Sequence, residues 1–148
     1  MSASRLVIVA DDDDDTRECV AAILGDEGFD VRLARNGRAA LDLLAVLGDE
    51  RCVLLLDLTM PIMSGFEVLR LLERTGRLAA LPVIVCSALK GLEQLPPGVR
   101  HVIGKPIDLE KLIDAVVEEA CPARASEVRL CAGVAPVQEQ PVRRLASS

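Results

Sequence analysis

The amino-acid sequence predicts an α/β domain in which five parallel strands form a doubly wound sheet with helices on both faces. Two observations support this prediction. Short apolar segments alternate with helical patterns along most of the 148 residues, and such alternation is typical of parallel sheets with right-handed crossovers. Two segments, Val53–Leu56 and Pro82–Ser87, are apolar without alternation, which indicates strands that are covered on both faces.

The first half of the chain contains two strand–helix pairs and the central strand. Apolar or alternating residues predict the strands, and apolar residues spaced three or four apart predict the helices. A glycine ends each of the two helices. In order, the predicted elements are a strand at Arg5–Ala10, a helix at Thr16–Gly25, a strand at Asp30–Ala34, a helix at Arg38–Leu47 and a strand at Cys52–Asp57.

The second half continues the same alternation after a loop that contains Pro61. The helix between the fourth and fifth strands is expected to be short, because Pro96 and Pro97 end it after about two turns. Asp108 is placed to cap the last helix. The predicted elements are a helix at Gly65–Thr75, a strand at Pro82–Ser87, a short helix at Leu89–Leu95, a strand at Val99–Gly104 and a helix from Asp108 to about Ala120.

The alternation of strand and helix patterns ends after Cys121. We therefore expect one domain at residues 1–121 and a flexible tail at residues 122–148. The tail is rich in Ala, Pro, Arg and Ser and has no amphipathic period. It contains four arginines and two glutamates, whereas the whole chain has a net charge of −6. The acidic charge therefore lies in the domain, and we expect no direct contact with nucleic acid.

The cysteines and the apolar runs predict a cytoplasmic location. The five cysteines are an odd number without CxxC spacing, which argues against a zinc site and a disulfide framework. No signal peptide is visible, and no apolar run reaches the ~18 residues of a membrane span. We therefore expect a reducing compartment and no membrane contact.

Polar side chains follow four of the predicted strands at the point where each strand ends. Asp11 and Asp12 follow the first strand, Asp57 ends the third, Ser87 ends the fourth and Lys105 follows the fifth. In open α/β sheets, ligands bind beyond the carboxyl ends of the strands. Three carboxylates close together repel one another, so the pattern predicts a hard cation such as Mg²⁺ between them.

The lysine and the serine extend this prediction to phosphate chemistry. An ammonium group and a hydroxyl beside a cation suit the oxygens of a phosphoryl group. The reaction that follows is phosphoryl transfer to a carboxylate, with Asp57 as the nucleophile. No general base is required, because a carboxylate is already ionised at neutral pH.

The same residues resemble the receiver domain of bacterial two-component response regulators, over about residues 5–120. The resemblance implies a flavodoxin-like fold with strand order 2-1-3-4-5. It rests on four ordered motifs at the family's spacing. These motifs are Val9–Asp13, Asp57–Pro61 with Gly65, Val85–Ala88, and Lys105 with Pro106.

The resemblance also implies a role for each acidic residue of the site. Asp57 would be the phospho-acceptor. Asp12, Asp57 and the backbone carbonyl of Thr59 would bind Mg²⁺ directly, and Asp11 would act largely through water. The domain would not be an enzyme in the usual sense, because it would catalyse only its own phosphorylation and dephosphorylation.

The resemblance implies phosphoryl contacts and protein partners as well. Ser87 would donate a hydrogen bond to one phosphoryl oxygen, and Lys105 would pair with another. The phosphate would come from a sensor histidine kinase or a histidine phosphotransfer protein, and phosphorylation would change the binding of a downstream protein. The chain would act either as a docking module or as a relay intermediate.

Two features depart from the family's pattern. Val102 occupies the position of the switch aromatic, three residues before Lys105, and the chain contains no Tyr or Trp. The helix predicted between the fourth and fifth strands is also shorter than the corresponding helix of the family. We expect the phosphorylation chemistry to survive these departures better than the usual switch.

Two alternative functions remain at this stage. The chain could be a degenerate receiver that binds a partner without phosphate. It could also be a phosphatase of the haloacid-dehalogenase-like type, because Asp12, Asp14 and Thr16 form the motif DxDxT after a strand. Against the phosphatase, Arg17 follows this motif in place of an apolar residue, and no acidic pair ends a later strand.

Overall fold

Five parallel strands form one sheet in the order β2-β1-β3-β4-β5, as predicted. The computed structural model describes residues 6–88 and 95–120. The strands are β1 (Leu6–Ala10), β2 (Asp30–Ala34), β3 (Val53–Asp57), β4 (Val83–Ser87) and β5 (Val99–Gly104). The helices are α1 (Asp14–Asp26), α2 (Gly37–Leu47), α3 (Gly65–Arg74) and α4 (Leu109–Ala120).

The strand register brings the carboxyl ends of four strands to the same edge of the sheet. Ala10 of β1 pairs with Leu56 of β3, and Asp57 pairs with Cys86 of β4. Ser87 in turn pairs with Gly104 of β5. The residues at and just after these ends therefore face one another across neighbouring strands.

The sheet separates two aliphatic cores, and the central strand contributes alternate residues to each. Leu54 and Leu56 of β3 pack into the core beneath α2 and α3. Val53 and Leu55 pack into the core beneath α1 and α4. Burial of one such side chain contributes about 1.5–3 kcal/mol, which explains why the unbroken apolar run occupies the centre of the sheet.

Helix α1 begins two residues earlier than the apolar spacing predicts. Its N-cap is Asp13, whose carboxylate accepts a hydrogen bond from the backbone amide of Thr16. The Thr16 hydroxyl also donates to this carboxylate, and this bond is the main cause of the lowered pKa of Asp13. The acidic run therefore contains the helix start, and Asp14 and Asp15 occupy the first turn, where negative charge suits the helix dipole.

The other described helices also begin at polar caps. Asn36 accepts from the amide of Ala39 at the start of α2. Ser64 and Glu67 form a reciprocal capping box at the start of α3. Asp108 accepts from the backbone amides of the first turn of α4, as predicted.

Some predictions concern parts of the chain outside the described residues. They are the shortened helix predicted after the fourth strand, most of which falls in residues 89–94, and the tail at residues 122–148. Among the helices in the described ranges, none is both long and apolar enough to cross a membrane.

Candidate functional site

Three carboxylates meet at the carboxyl edge of the sheet. Oxygen atoms of Asp11, Asp12 and Asp57 all lie within 4.8 Å of one another. Asp57 ends β3 and Asp11 follows β1, so both are carried by the two adjacent central strands and are buried. Asp12 is exposed, and the cluster is therefore open to solvent on its side.

The environment of Asp57 disfavours its charged form. Burial is the main cause and raises the pKa of the Asp57 carboxyl, and the charges of Asp11 and Asp12 add to it. The Lys105 ammonium and a hydrogen bond from the amide of Thr59, at 3.3 Å, act in the opposite direction. A cation beside the three acids would relieve this repulsion.

Lys105 supplies one positive charge to the cluster. Its Nζ atom donates to Oδ2 of Asp11 at 2.8 Å and lies 3.5 Å from Oδ2 of Asp57. Burial opposes the charged ammonium, but the hydrogen bond to Asp11 and the charges of both acids outweigh it and raise the pKa of Lys105. The lysine is therefore held in its charged form between the two buried carboxylates.

Ser87 ends β4 beside the acid cluster. It is 2 % exposed, and its carbonyl accepts from the amide of Lys105 at 3.0 Å, which ties the ends of β4 and β5 together. Its neighbour Cys86 pairs with Asp57 in the sheet. Burial raises the pKa of the Cys86 thiol to about 12, so this thiol is not a nucleophile at neutral pH.

The loop after β3 is fixed against the strand end by a glycine. The Gly65 amide donates to the carbonyl of Leu58 at 3.0 Å. A Cβ atom at this position would lie 2.3 Å from the carbonyl oxygen of Asp57. Only glycine allows α3 to start this close to the end of β3, which explains the residue at this place in the sequence motif.

A tight turn within this loop points an apolar side chain to solvent. Ile62 has a φ of +67°, an unusual conformation for a β-branched residue. The amide of Met63 donates to the carbonyl of Pro61 across the turn, at 2.6 Å. The Met63 carbonyl accepts from Gly37 at the start of α2, at 2.9 Å, so a neighbouring helix holds the turn in place.

Sequence reasoning missed one charged residue of the site, Arg17. It is 6 % exposed and its Nη1 atom donates to the backbone carbonyl of Asp11 at 2.7 Å. Its Nη2 atom pairs with Asp14. The signal was present in the sequence, because Arg17 falls on the same helical face as the buried Val20 and Leu24.

The structure separates the residues of the phosphatase-like motif. Asp14 is exposed and pairs with Arg17, and the Thr16 hydroxyl donates to the helix cap Asp13. The Asp14 carboxylate is not part of the cluster that Asp12 forms with the buried acids. This arrangement gives no support to the phosphatase alternative.

A second group of potential metal ligands lies between β5 and α4. It comprises His101, Glu118 and Glu119. Glu119 already pairs with Arg100 at 2.9 Å and with His101 at 2.9 Å. Burial opposes its ionisation, but these two partners outweigh burial and lower the pKa of Glu119. The contacts tie the edge strand β5 to α4, so we assign the group a structural role.

The arrangement at the first cluster combines a buried carboxylate, two further acids, a lysine and a buried serine at one sheet edge. Residues 7–117 match the family described as the response regulator receiver domain. The chain belongs to this family. A receiver domain is not an enzyme in the usual sense, and its place is in two-component signalling.

Relatives and solved structures agree with this assignment. The receiver is 37 % identical to the response regulator MprA of Mycolicibacterium vanbaalenii over 111 residues, which cover 72 % of this chain and 46 % of MprA. The chain thus spans about half the length of the curated relatives that it matches.

Two receiver structures illustrate the likeness in fold. A response regulator receiver protein from Pseudomonas putida is 31 % identical with a TM-score of 0.70, and the match covers 80 % of this chain and 100 % of that one. The chain also matches CheY in the CheX–CheY–BeF₃–Mg²⁺ complex from Borrelia burgdorferi. That match has 29 % identity and a TM-score of 0.66, and covers 76 % of this chain and 87 % of that one.

Proposed function

We propose that this receiver accepts a phosphoryl group on Asp57 and thereby changes its binding to a protein partner. One observation carries the proposal. The buried carboxylate of Asp57 lies with Asp11 and Asp12 in a cluster within 4.8 Å, and Lys105 lies 3.5 Å from it. In this set of groups Asp57 supplies the nucleophile, Lys105 supplies positive charge for the phosphoryl oxygens, and the three acids supply ligands for a divalent cation.

The transfer itself needs little covalent chemistry from the protein. A carboxylate oxygen of Asp57 attacks the phosphorus of a phosphohistidine, and an O–P bond forms while the P–N bond breaks. The leaving imidazole takes the electron pair of that bond. Asp57 reacts as the carboxylate, so no base has to remove a proton from it.

The acid cluster fits Mg²⁺ because its ligands are carboxylate oxygens and its outer side is open to water. Asp12, Asp57 and the backbone carbonyl of Thr59 would hold the ion directly, and Asp11 would act largely through water. When bound, Mg²⁺ supplies positive charge that neutralises the phosphoryl oxygens. The cation also relieves the repulsion that the three acids impose on one another.

Two further side chains would bind the phosphoryl oxygens. Lys105 would move from its hydrogen bond with Asp11 to one phosphoryl oxygen, and the Ser87 hydroxyl would donate to another. Because Lys105 and Ser87 lie at the ends of β5 and β4, these contacts would transmit phosphorylation to that side of the sheet.

The donor would be a sensor histidine kinase or a histidine phosphotransfer protein, and the target a downstream protein. The likeness to CheY, which forms a complex with CheX in Borrelia burgdorferi, supports a protein target. Val102, at the switch-aromatic position, is 51 % exposed. The surface that binds the partner would therefore carry a valine in place of the family's larger aromatic side chain. We place the receiver at residues 1–121 and treat residues 122–148 as an appended tail.

We place this exchange in the cytoplasm. The three cysteines of the described ranges, Cys19, Cys52 and Cys86, are all free. Free thiols persist in a reducing compartment.

The test is intact-protein mass spectrometry after incubation with acetyl phosphate and Mg²⁺. We expect a gain of one phosphoryl group in the unsubstituted protein and in the control Asp42→Asn, which changes an exposed acid of α2. We expect no gain in Asp57→Asn or in the presence of a chelator. A gain that persists in Asp57→Asn would contradict the assignment of the acceptor.

The same assay distinguishes the alternatives. If neither acetyl phosphate nor a phosphoramidate donor phosphorylates the protein, the degenerate receiver that binds without phosphate becomes the better description. Transfer from phosphorylated protein to a histidine phosphotransfer domain faster than hydrolysis would favour the relay intermediate over the docking module.

A further inference from the structure

Arg17 is a buried cation that contacts the backbone of the acid cluster from helix α1. Its side chain is 7 % exposed, and it donates to the carbonyl of Asp11 at 2.7 Å while also pairing with Asp14. We propose that Arg17 is a positioning residue that fixes the turn carrying Asp11 and Asp12 and thereby sets the affinity for the divalent cation. The inference rests on the proposed magnesium site.

Each polar atom of Asp11 has a partner, and the partners come from different parts of the fold. The Asp11 amide donates to the carbonyl of Ala34 in β2 at 3.1 Å. Oδ1 accepts from the amide of Asp13 at 2.9 Å, and Oδ2 accepts from Lys105 at 2.8 Å. Arg17 binds the one remaining atom, the backbone carbonyl. Asp11 is therefore fixed from four directions, and Asp12 follows it directly in the chain.

The position of Arg17 requires a planar guanidinium group with two donor nitrogens. Nη1 and Nη2 reach two acceptors on either side of the turn, Asp11 and Asp14. A lysine ammonium is a single point charge on a flexible stem and lacks this planar geometry. Arg17 also lies on the buried face of α1 with Val20 and Leu24, so packing holds the fork in place.

Charge and position predict opposite effects on cation affinity. Arg17 adds a positive charge near the three acids, so by Coulomb's law its loss would strengthen Mg²⁺ binding. If its main role is to hold the turn, its loss would weaken binding, because outer partners of metal ligands contribute about 10–100-fold to affinity. A variant that keeps the positive charge but loses the planar fork therefore isolates the positioning role, because a purely electrostatic role predicts no change in its affinity.

The experiment measures the dissociation constant of Mg²⁺ by calorimetry on the full chain. We expect Arg17→Lys, which keeps the charge, to bind Mg²⁺ about 10-fold or more weakly. Phosphorylation of Arg17→Lys by acetyl phosphate should be weak at low Mg²⁺ and should recover as the Mg²⁺ concentration rises. A structural defect alone would lower phosphorylation at every Mg²⁺ concentration instead of shifting the concentration for half saturation.

A second pair of variants avoids changing a buried residue. Asp14→Asn removes the exposed carboxylate that pairs with Arg17, and Asp15→Asn removes a neighbouring exposed charge. Both variants lose one negative charge near the cluster, and Asp15 makes no described contact with Arg17. We expect Asp14→Asn to weaken Mg²⁺ binding several-fold more than Asp15→Asn does.

The outcomes separate this inference from the proposed function. Mg²⁺ binding in the unsubstituted protein, with unchanged or tighter affinity in Arg17→Lys and equal affinities in the two aspartate variants, would overturn the role of Arg17 alone. Absence of Mg²⁺ binding in the unsubstituted protein would overturn the proposed magnesium site and this inference with it.

Discussion

Lys105 and Asp11 are 94 positions apart in the chain and form a direct ion pair, with Nζ donating to Oδ2 at 2.8 Å. Lys105 is closer to Asp11 than to Asp57, from which it is separated by 3.5 Å. The lysine therefore balances charge within the acid cluster. It also lies close enough to the proposed acceptor, Asp57, to contact a phosphoryl group there. These two roles have different consequences when the charge is removed.

The variant Lys105→Met should separate the two roles. Removal of the ammonium leaves the three acids with less positive charge, so we expect Mg²⁺ to bind more tightly and to raise the melting temperature more than in the unsubstituted protein. Phosphorylation by acetyl phosphate should slow by about 10²–10³-fold, the cost of removing one donor from a site of developing negative charge. Calorimetry and intact mass measure the two effects.

The matched control is Lys111→Met, which removes an exposed lysine from α4. It should leave both the Mg²⁺ affinity and the phosphorylation rate within a factor of about two, as expected for a surface charge. Equal phosphorylation rates in Lys105→Met and Lys111→Met would contradict the proposed contact of Lys105 with the phosphoryl group.

Gly65→Ala should disturb the loop that follows Asp57 at the end of β3. The added Cβ would lie 2.3 Å from the carbonyl oxygen of Asp57 and 2.8 Å from the Cα atom of Leu58. Both neighbours are backbone atoms of the end of β3, which cannot move without displacing Asp57. We expect a loss of about 1–3 kcal/mol in the free energy of unfolding, measured by urea denaturation with circular dichroism, and slower phosphorylation.

Gly25→Ala is the matched control, and we expect it to change the free energy of unfolding in the opposite direction. Gly25 lies in α1, and a Cβ there would meet nothing within 4 Å. Alanine should therefore stabilise the protein by about 0.5–1 kcal/mol through helix propensity. If Gly65→Ala were as stable as the unsubstituted protein, the close approach of α3 to β3 would not constrain this position.

The sequence was sufficient to predict the sheet and the edge at which the acids meet. Unbroken apolar runs predicted buried strands, and the topology then placed the residues after those strands together. The pairing of Lys105 with Asp11 in preference to Asp57 was not predictable, because it depends on distances between the ends of β1, β3 and β5.

Local polar contacts explain the other differences. The start of α1 depends on the Asp13 side chain as a cap, which an acidic run does not single out by its pattern. Arg17 falls on the apolar face of α1 in the sequence, but the acceptor that allows a charged side chain to be buried there lies in the turn before the helix. His101 resembles any strand residue in the sequence, and its contact with Glu119 spans 18 positions.

Arg77 should stabilise the end of α2. Its Nη2 atom donates to the carbonyl of Gly48 at 2.7 Å and its Nη1 atom to that of Leu44 at 3.3 Å. These carbonyls lie at the C-terminus of the helix, where positive charge is favourable. Arg77→Ala should lower the free energy of unfolding by about 1–2 kcal/mol.

The control for this variant is Arg70→Ala, which removes an exposed arginine from α3 and should change stability by less than about 0.5 kcal/mol. Arg77→Lys should fall between the two, because an ammonium cannot reach both carbonyls with a planar fork. Similar stabilities of Arg77→Ala and Arg70→Ala would show that the contact of Arg77 with the end of α2 contributes little.

The ion pairs of Glu119 predict a dependence of stability on acid pH. Burial opposes the charged form, but the hydrogen bond with His101 and the charge of Arg100 lower the pKa of Glu119 below its ordinary value of 4.5. A carboxyl whose pKa is lower in the folded state stabilises the protein at pH above its unfolded pKa. This contribution is lost as the pH falls through the folded pKa.

We therefore compare the unsubstituted protein with Glu119→Gln by urea denaturation across the acid range. The loss of stability caused by Glu119→Gln should be largest above about pH 5 and should shrink progressively as the pH falls below about 4.5. Arg100 stays charged throughout this range, and the neighbouring carboxyl of Glu118 is the same in both proteins. Because His101 also contacts Glu119, the comparison is repeated with His101→Asn in both proteins, so that the difference reports the ionisation of Glu119 and not a change at its partner. The exposed Glu73→Gln on α3 serves as the control. If the difference in stability between the unsubstituted protein and Glu119→Gln is constant from neutral to acid pH, the lowered pKa of Glu119 is contradicted. The contact between β5 and α4 would then contribute through packing alone.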